Sequence, residues 1–270
     1  MSSLSEIIRT RKSVRTFDGK PLRPEDREKL EEYAAGITDP FGVPVSFVFL
    51  DADANGLSSP VLAGEKLYVA GKVKKVPCAD EAFGYSFEKL VLYAWSSGIG
   101  TTWIGGTMKR ELFESAAGLA DGERMPCISP LGYPAKKRSV KEIMMRKGVG
   151  ADNRLQAEKF FFENSFDYPL SGTKKEEIAD LIEMVRWAPS AVNKQPWRIV
   201  LKDGAYHFYE KKNKGFVSEA TGDLQRIDVG IALCHFVMGL EERSEHPRVL
   251  ADDPGIALPE NIEYIATVCL

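Results

Sequence analysis

The chain is predicted to fold as an α+β protein made of two repeated halves. Three observations point there. Residues 29–51, KLEEYAAGITDPFGVPVSFVFLD, lie without a gap under residues 181–203, LIEMVRWAPSAVNKQPWRIVLKD. Pro44 then meets Pro196 and Asp51 meets Asp203, a constant offset of 152 residues. Helix and strand signals follow in the same order on both sides of residue 150. The pair Asp203-Gly204 sits between two apolar runs and reads as a tight hairpin, which joins strands antiparallel. The match extends outward, with FDGKPL (17–22) against FDYPL (166–170) and MPCISPLG against IEYIATVC. FEKLVLYAW (87–95) is set against IDVGIALCH (227–235) at an offset of 140. The halves are placed at 1–150 and 151–270. A duplicated fold of this kind is expected to act as a fused dimer, with paired sites about a pseudo-twofold axis.

The elements follow in order. Residues 5–10 form a short helix behind a Ser-rich cap. Residues 24–35 form a second, with Pro at the start, acids in the first turn, and Leu30, Tyr33 and Ala34 on one face. Strands are expected at 44–51 and 66–73. A long apolar helix over 79–97 ends in the Gly-rich turn SGIGTTWIGG. A helix at 109–118 and a strand at 126–134 complete the first half. A charged connecting region runs to about residue 162. In the second half, a helix over 173–187 precedes strands at 197–203 and 205–212. A long helix at 223–242 and a last strand at 263–270 close the chain, and Trp197 is expected in the core.

Composition bounds the function. The chain has 270 residues, 44% hydrophobic and 28% charged, with net charge −3, so nothing favours bulk nucleic-acid or membrane binding. The N-terminus lacks the apolar core of a signal peptide, and no apolar run is long enough to span a bilayer. Cys78, Cys127, Cys234 and Cys269 form no close pair, and His207, His235 and His246 share no ligand spacing. Reduced thiols in the cytoplasm and no metal site are expected.

Four clusters carry chemistry. RTRKSVRTF (9–17) places Arg11, Lys12 and Arg15 around the compact hydroxyl of Ser13. A solvated basic face is the ordinary explanation of such a run; an oxyanion site is the alternative. APSAVNKQPW brings Pro189, Ser190, Ala191, Asn193 and Gln195 together, and its two amides can read a planar edge by paired donor and acceptor. SGIGTTWIGG fits neither G-x-G-x-x-G nor a P-loop. Its glycines still allow backbone N–H groups near a flat ligand, around Trp103, Ile104, Gly105 and Gly106. The fourth cluster is Lys136, Lys137 and Arg138, just past a strand end.

Together these residues resemble the FMN-dependent nitroreductase family. The R-x-S-x-R-x-F segment stands at Arg11, Ser13, Arg15 and Phe17. P-S-x-x-N-x-Q-P-W stands at Pro189, Ser190, Asn193, Gln195, Pro196 and Trp197. G-x-G-T-x-W-I-G runs from Gly98 to Gly105, and G-Y-P followed by basic residues runs from Gly132 to Arg138. The resemblance implies a nitroreductase-like fold, each half with a mainly antiparallel sheet flanked by helices. It also implies FMN at the interface of the halves, NAD(P)H as electron donor, and ping-pong transfer to a small nitroaromatic or quinone-like acceptor. Arg11, Lys136 and Arg138 are implied at the phosphate, Arg15 at the N1/O2 edge, and an N–H of residues 104–106 near N5. No catalytic side chain is implied, because the hydride chemistry belongs to the flavin.

The chain departs from the family pattern in one respect. In family members the Arg/Ser and P-S-x-x-N motifs lie close together in one chain. Here the first half carries AGITDPFGVP where the second motif is expected. The second half carries FFFENSF where Arg/Ser is expected, so at an offset of 149 Phe160, Phe162 and Asn164 stand for Arg11, Ser13 and Arg15. The second half also stops at Leu270, before a basic tail. One FMN per chain is therefore expected, in a monomer that resembles the fused branch of the family. A flavin carrier or sensor without turnover, or a different flavin reaction such as dehalogenation or flavin oxidation, is the alternative. Bleaching of the flavin by NAD(P)H, and product analysis, separate these readings.

Overall fold

The computed structural model describes residues 3–270. Helix α1 (Leu4–Thr10) starts at Ser3, whose hydroxyl accepts the Glu6 N–H at 3.2 Å. Helix α2 (Pro24–Ala35) has Pro at its first turn and buries Leu30 and Ala34. Strands β1 (Val45–Asp51) and β2 (Leu67–Lys74) pair antiparallel and lead into helix α3 (Ala79–Ser96). Helix α4 (Arg110–Ala116) and strands β3 (Glu123–Arg124) and β4 (Ile128–Leu131) follow, both strands pairing with β2. Next come helix α5 (Val140–Gly148), strand β5 (Phe161–Glu163) and helices α6 (Gly172–Glu177) and α7 (Ala179–Arg186). Strands β6 (Trp197–Lys202) and β7 (Ala205–Lys211) form the hairpin read from Asp203-Gly204, and both turn residues have positive φ. A small ribbon of β8 (Val217–Ser218) and β9 (Gly222–Asp223) precedes helix α8 (Leu224–Glu242), and strands β10 (Arg248–Leu250) and β11 (Ile262–Cys269) end the chain.

The two halves share one plan. β1, β2 and β4 are neighbours in the first sheet, antiparallel throughout; β6, β7 and β11 are neighbours in the second, also antiparallel. Val45 faces Val73 in one hairpin and Trp197 faces Glu210 in the other, so the 152-residue offset holds for β1 and β6. Helices α3 and α8 cross between the sheets, backbone against backbone. A Cβ on Gly84 would lie 2.0 Å from the Ile227 carbonyl oxygen, and one on Gly230 would lie 2.2 Å from that of Glu81. The two contacts exchange under an offset of 146, as a twofold contact must. That offset also carries the end of α3, Ser96, onto the end of α8, Glu242. The offset of 140 expected for these helices is thus wrong by six residues. Fourteen of the eighteen α3 residues are buried, and a helix apolar on all sides offers no phase by which to set a register.

Other expectations shift for local reasons. The helix over 173–187 is two helices, broken at Ile178 (φ −117°, ψ 22°). Charged α6 buries none of its residues, whereas α7 buries Leu181, Ile182, Met184 and Val185. The connecting region contains α5, whose Ser139 hydroxyl accepts the Glu142 N–H. β5 joins the second sheet parallel to β6, which places Phe160 and Phe161 in the core. Trp197 is fully buried, as expected.

Candidate functional site

The R-x-S-x-R-x-F segment is an extended strip threaded between two motif loops. Val14 N–H donates to Thr101 O (2.8 Å), Phe17 N–H to Ala63 O (2.8 Å), and Ala135 N–H to Thr16 O (3.0 Å). Two motif glycines make room for it. A Cβ on Gly100 would stand 2.9 Å from the Val14 Cβ, and one on Gly132 would stand 2.8 Å from the Phe17 ring. The Gly-rich loop and the G-Y-P turn therefore converge on the Arg/Ser segment, and three of the four sequence clusters meet here. Gly105 and Gly106 stay free for another use. Ile104 spends its N–H on Ile128 O (2.9 Å), while the N–H groups of Gly105 and Gly106 have no backbone partner among the described residues. A Cβ on Gly106 would meet open space.

Arg11 is the anchor of the strip. Its side chain is 4% exposed, its Nε lies 3.9 Å from the Glu88 carboxylate, and neither Nε nor Nη1 has a hydrogen-bond partner among the described residues. Burial pulls its pKa down against the raising effect of Glu88, and Arg146 lowers it further. Glu88, on α3, is fully buried. It accepts Trp103 Nε1–H at 3.0 Å and faces His235 Nε2 at 3.0 Å. The other ring nitrogen of His235 lies 2.8 Å from Met184 O, which can only accept, so Nδ1 carries a hydrogen. One carboxylate thus ties Arg11, Trp103 and the α8 histidine together. Its signal in the sequence was a lone acid in an apolar helical run.

Helix α5 closes the other side of the strip. Buried Glu142 accepts Arg15 N–H (3.2 Å) and the Thr16 hydroxyl (2.9 Å), and its second oxygen lies 3.4 Å from Arg138 Nε. Burial lowers the pKa of Arg15, with Glu142 opposing and Arg146 adding to the fall. Ser13 bridges to Thr101, Lys12 lies over the Trp95 ring at 5.8 Å, and Lys136 and Lys137 are exposed. The Ser-x-x-Glu pattern at 139–142 was the missed signal for both α5 and Glu142.

The second-half motif is a strained loop. Val192, Asn193 and Gln195 all have positive φ (42°, 58° and 51°). Pro189 and Ser190 are half-buried; the Ser190 hydroxyl accepts Gln195 N–H at 2.9 Å. Ala191 N–H donates to both oxygens of Asp228 (3.0 and 3.1 Å), whose carboxyl burial pushes well above the usual range. Both amides turn toward residues 150–155. Asn193 donates to Gly150 O (2.8 Å) and Asn153 O (2.9 Å) and accepts from Arg154 at 2.8 Å; the Gln195 amide oxygen accepts Leu155 N–H at 2.9 Å. Arg154 stacks over Trp187 (5.1 Å), and its Nε is buried without a partner among the described residues. Burial, and then the nearby charge of Arg11, brings its pKa down to about 10.

The residues present fit the phosphate end of FMN. Arg11 and Arg154, the second of which feels the charge of the first, each leave a buried N–H unsatisfied among the described residues, a condition that an oxyanion relieves. A cleft of about 280 Å³ between α1 and α7, which includes Ile8, Arg9, Asp180 and Trp187, touches the four clusters only at Arg9.

Comparison with known proteins gives a consistent picture. A family model described as "Putative TM nitroreductase" matches residues 3–240. No curated protein matches the chain. A "putative nitroreductase" of Thermotoga maritima is similar over 100% of this chain and 94% of its own, at 20% identity and a TM-score of 0.64, and so shares the fold. A nitroreductase family protein of Clostridium difficile 630 is similar over 54% of this chain and 92% of its own (15% identity, TM-score 0.44). An FMN-dependent nitroreductase of Clostridium difficile R20291 is similar over 52% and 94% (16% identity, TM-score 0.42).

Proposed function

The chain belongs to this nitroreductase family, and from that premise we propose that it is an FMN-dependent oxidoreductase. It takes electrons from NAD(P)H and passes them to a small nitroaromatic or quinone-like acceptor. The observation that carries the reading is Arg11: a buried guanidinium with two nitrogens unpartnered among the described residues, at the head of the strip on which three motifs meet. One FMN is bound per chain, between a first half (1–150) and a second half (151–270), and the protein works as a monomer. Its four cysteines are free thiols, in keeping with a reducing, cytoplasmic compartment.

Bound FMN supplies the two-electron chemistry. The chain's own residues bind and orient it. Arg11, Ser13 and Arg138 hold the phosphate, with Lys136 and Lys137 adding positive potential at the rim. Arg15, whose backbone N–H is held by Glu142, would hold the N1/O2 edge of the ring system. Gly105 or Gly106 would offer its N–H to the ring, because the Ile104 N–H is committed to Ile128. Trp103, held by Glu88, fixes the loop that carries them.

The test is direct. Purified protein is expected to be yellow, with about one FMN per chain, and to bleach with NADH or NADPH under anaerobic conditions. Subsequent recolouring by a quinone or nitroaromatic completes the expected cycle. Two FMN per chain sinks the single-site reading, and a bound flavin inert to both donors sinks the enzyme reading.

A further inference from the structure

Helix α5 has two faces, and the chain itself uses one of them. Glu142 and Arg146, one turn apart, lie on the covered face: Glu142 holds the Arg15–Thr16 strip, and Arg146 pairs with Asp152 at 2.7 Å. Val140, Ile143, Met144 and Lys147 follow the spacing of the opposite face. There Val140, Ile143 and Met144 are between 53% and 73% exposed. We propose that this face docks the protein on an anionic lipid surface. The three apolar side chains enter the headgroup layer, and the surrounding lysines meet the lipid phosphates. The contact is peripheral, with a short helix lying in the plane of the surface.

The apolar surface extends past the helix. Val149 is exposed just beyond α5, and Val192, in the P-S-x-x-N loop, is 60% exposed. The Asn193 amide donates to Gly150 O at 2.8 Å, so Val149 and Val192 each stand one residue from the same bond. The patch therefore runs from the first half onto the second. Val192 also has a φ of 42°, a conformation that a β-branched residue rarely adopts. That strained backbone displays an apolar side chain instead of burying it, which is the condition that invites a functional explanation.

Charge selects the occupant. Residues 136–147 carry six cations, Lys136, Lys137, Arg138, Lys141, Arg146 and Lys147, against the single acid Glu142, which is buried. Exposed Lys194 adds another beside Val192. The chain's net charge of −3 hides this local excess. An anionic surface complements it, whereas a second copy of the same face would set like charge against like. Lysine is depleted in protein–protein interfaces and enriched on helices that lie in a lipid interface, so the four exposed lysines at 136, 137, 141 and 147 favour lipid over an acidic protein. Because α5 rests on the Arg/Ser strip, docking also brings the proposed flavin site toward a phase that dissolves lipophilic quinones. That last link rests on the FMN reading; the lipid contact does not.

The experiment is co-sedimentation of the full chain with vesicles, either pure phosphatidylcholine or an equal mixture of phosphatidylcholine and phosphatidylglycerol. Wild type is expected to bind the anionic vesicles at least about 10-fold more tightly at low salt, and to lose that preference near ~0.5 M salt, where charges are screened. Ile143→Ser with Met144→Ser is expected to weaken anionic-vesicle binding about 10-fold, and Lys147→Glu to do so by about 10-fold through charge. No preference for anionic vesicles, or a double variant that binds as wild type does, overturns the proposal. Self-association of the wild type that the double variant abolishes, seen by analytical ultracentrifugation, would make a second copy the occupant and overturns it too. So does binding to soluble polyglutamate as tight as to vesicles and unaffected by the double variant, which would point to an acidic protein. If circular dichroism shows that the double variant does not fold, Lys147→Glu and the salt dependence decide by the same ratio. Binding is read on the protein and not on the flavin. A colourless protein that sediments with anionic vesicles keeps the docking face and fails only the FMN reading.

Discussion

The two halves share strand order, hairpin register and a reciprocal helix contact, yet differ at the positions that carry charge. The 146-residue offset puts Cys234 where the first half has Glu88. Glu88 gathers Arg11, Trp103 and His235, whereas Cys234 is a fully buried thiol that packs as a small apolar group. The reverse holds at the other end of the molecule. Val73 faces Val45 in the first hairpin, and at the matching place in the second hairpin Glu210 faces Trp197. Each half preserves the apolar plan and places buried charge where the other does not. Packing needs only shape and hydrophobicity, so it tolerates this divergence; a charged site needs every member present, so one copy can lapse while the other persists.

The sharpest way to break this comparison is the Glu88–Cys234 pair. Removal of Glu88 strands the buried charge of Arg11 and the Trp103 N–H. Glu88→Ala is therefore expected to cost about 3–5 kcal/mol of unfolding free energy, against about 1 kcal/mol for Cys234→Ala, by urea denaturation. Similar costs would mean that the two positions do the same structural job. A second contrast uses ligand binding. Arg11→Ala is expected to weaken FMN about 100-fold, the scale of one or two charge-assisted bonds. Lys175→Ala, on exposed α6 in the second half, is expected to leave the affinity unchanged. Matching losses would remove the assignment of the site to the Arg/Ser segment.

The symmetric contact can be tested for equality instead of difference. Gly84→Ala and Gly230→Ala each drive a Cβ into a carbonyl of the opposite helix, 2.0 and 2.2 Å away before relaxation. Each is expected to cost about 2–3 kcal/mol, and the two costs should agree within about 1 kcal/mol. A large loss at one glycine beside none at the other would count against a pseudo-twofold at α3 and α8.

Much of this was legible in the sequence because it rests on turns, caps and alternation. The hairpin at Asp203-Gly204 needs positive φ, and Pro24 can begin a helix but not continue one. The repeat set the register of β1 against β6 because a strand's period of two is sensitive to a slip of a single residue. It failed on α3 and α8 because their apolar residues face every direction. Three of the four motifs meet in space, since Gly100 and Gly132 sit against the Arg/Ser strip. The supporting charges were hidden for different reasons. Glu88 and His235 are 147 residues apart and meet only through the helix crossing. Arg146 and Arg154 lay inside a charged stretch that looked like a solvated connection. The bonds of the Asn193 amide to residues 150–154 were equally hidden, because sequence alone does not show which segment a loop amide faces.

The smallest expected effect concerns Glu210, the charge that replaces Val73. Both of its carboxylate oxygens lack a hydrogen-bond partner among the described residues, and Arg226 Nε lies 3.6 Å away while that arginine also serves Glu81 and Glu263. Burial raises the Glu210 pKa from 4.5 to about 7, aided by Asp223 and Glu263 and opposed by Lys212 and Arg226. The folded state therefore holds this proton more tightly than the unfolded chain does. Its contribution is fully present below the unfolded value and is lost as pH rises through about 7, because the folded protein must then carry a poorly solvated charge. Asp80, raised to about 6 by burial, works in the same direction over a lower window. Glu210→Gln keeps the shape and removes the titration. Urea denaturation at pH 5 and pH 8 is expected to show the variant gaining on the wild type by on the order of 1 kcal/mol at the higher pH. A difference that stays constant between the two pH values would mean that Arg226 fully compensates Glu210, and that the second hairpin carries its acid as easily as the first carries valine.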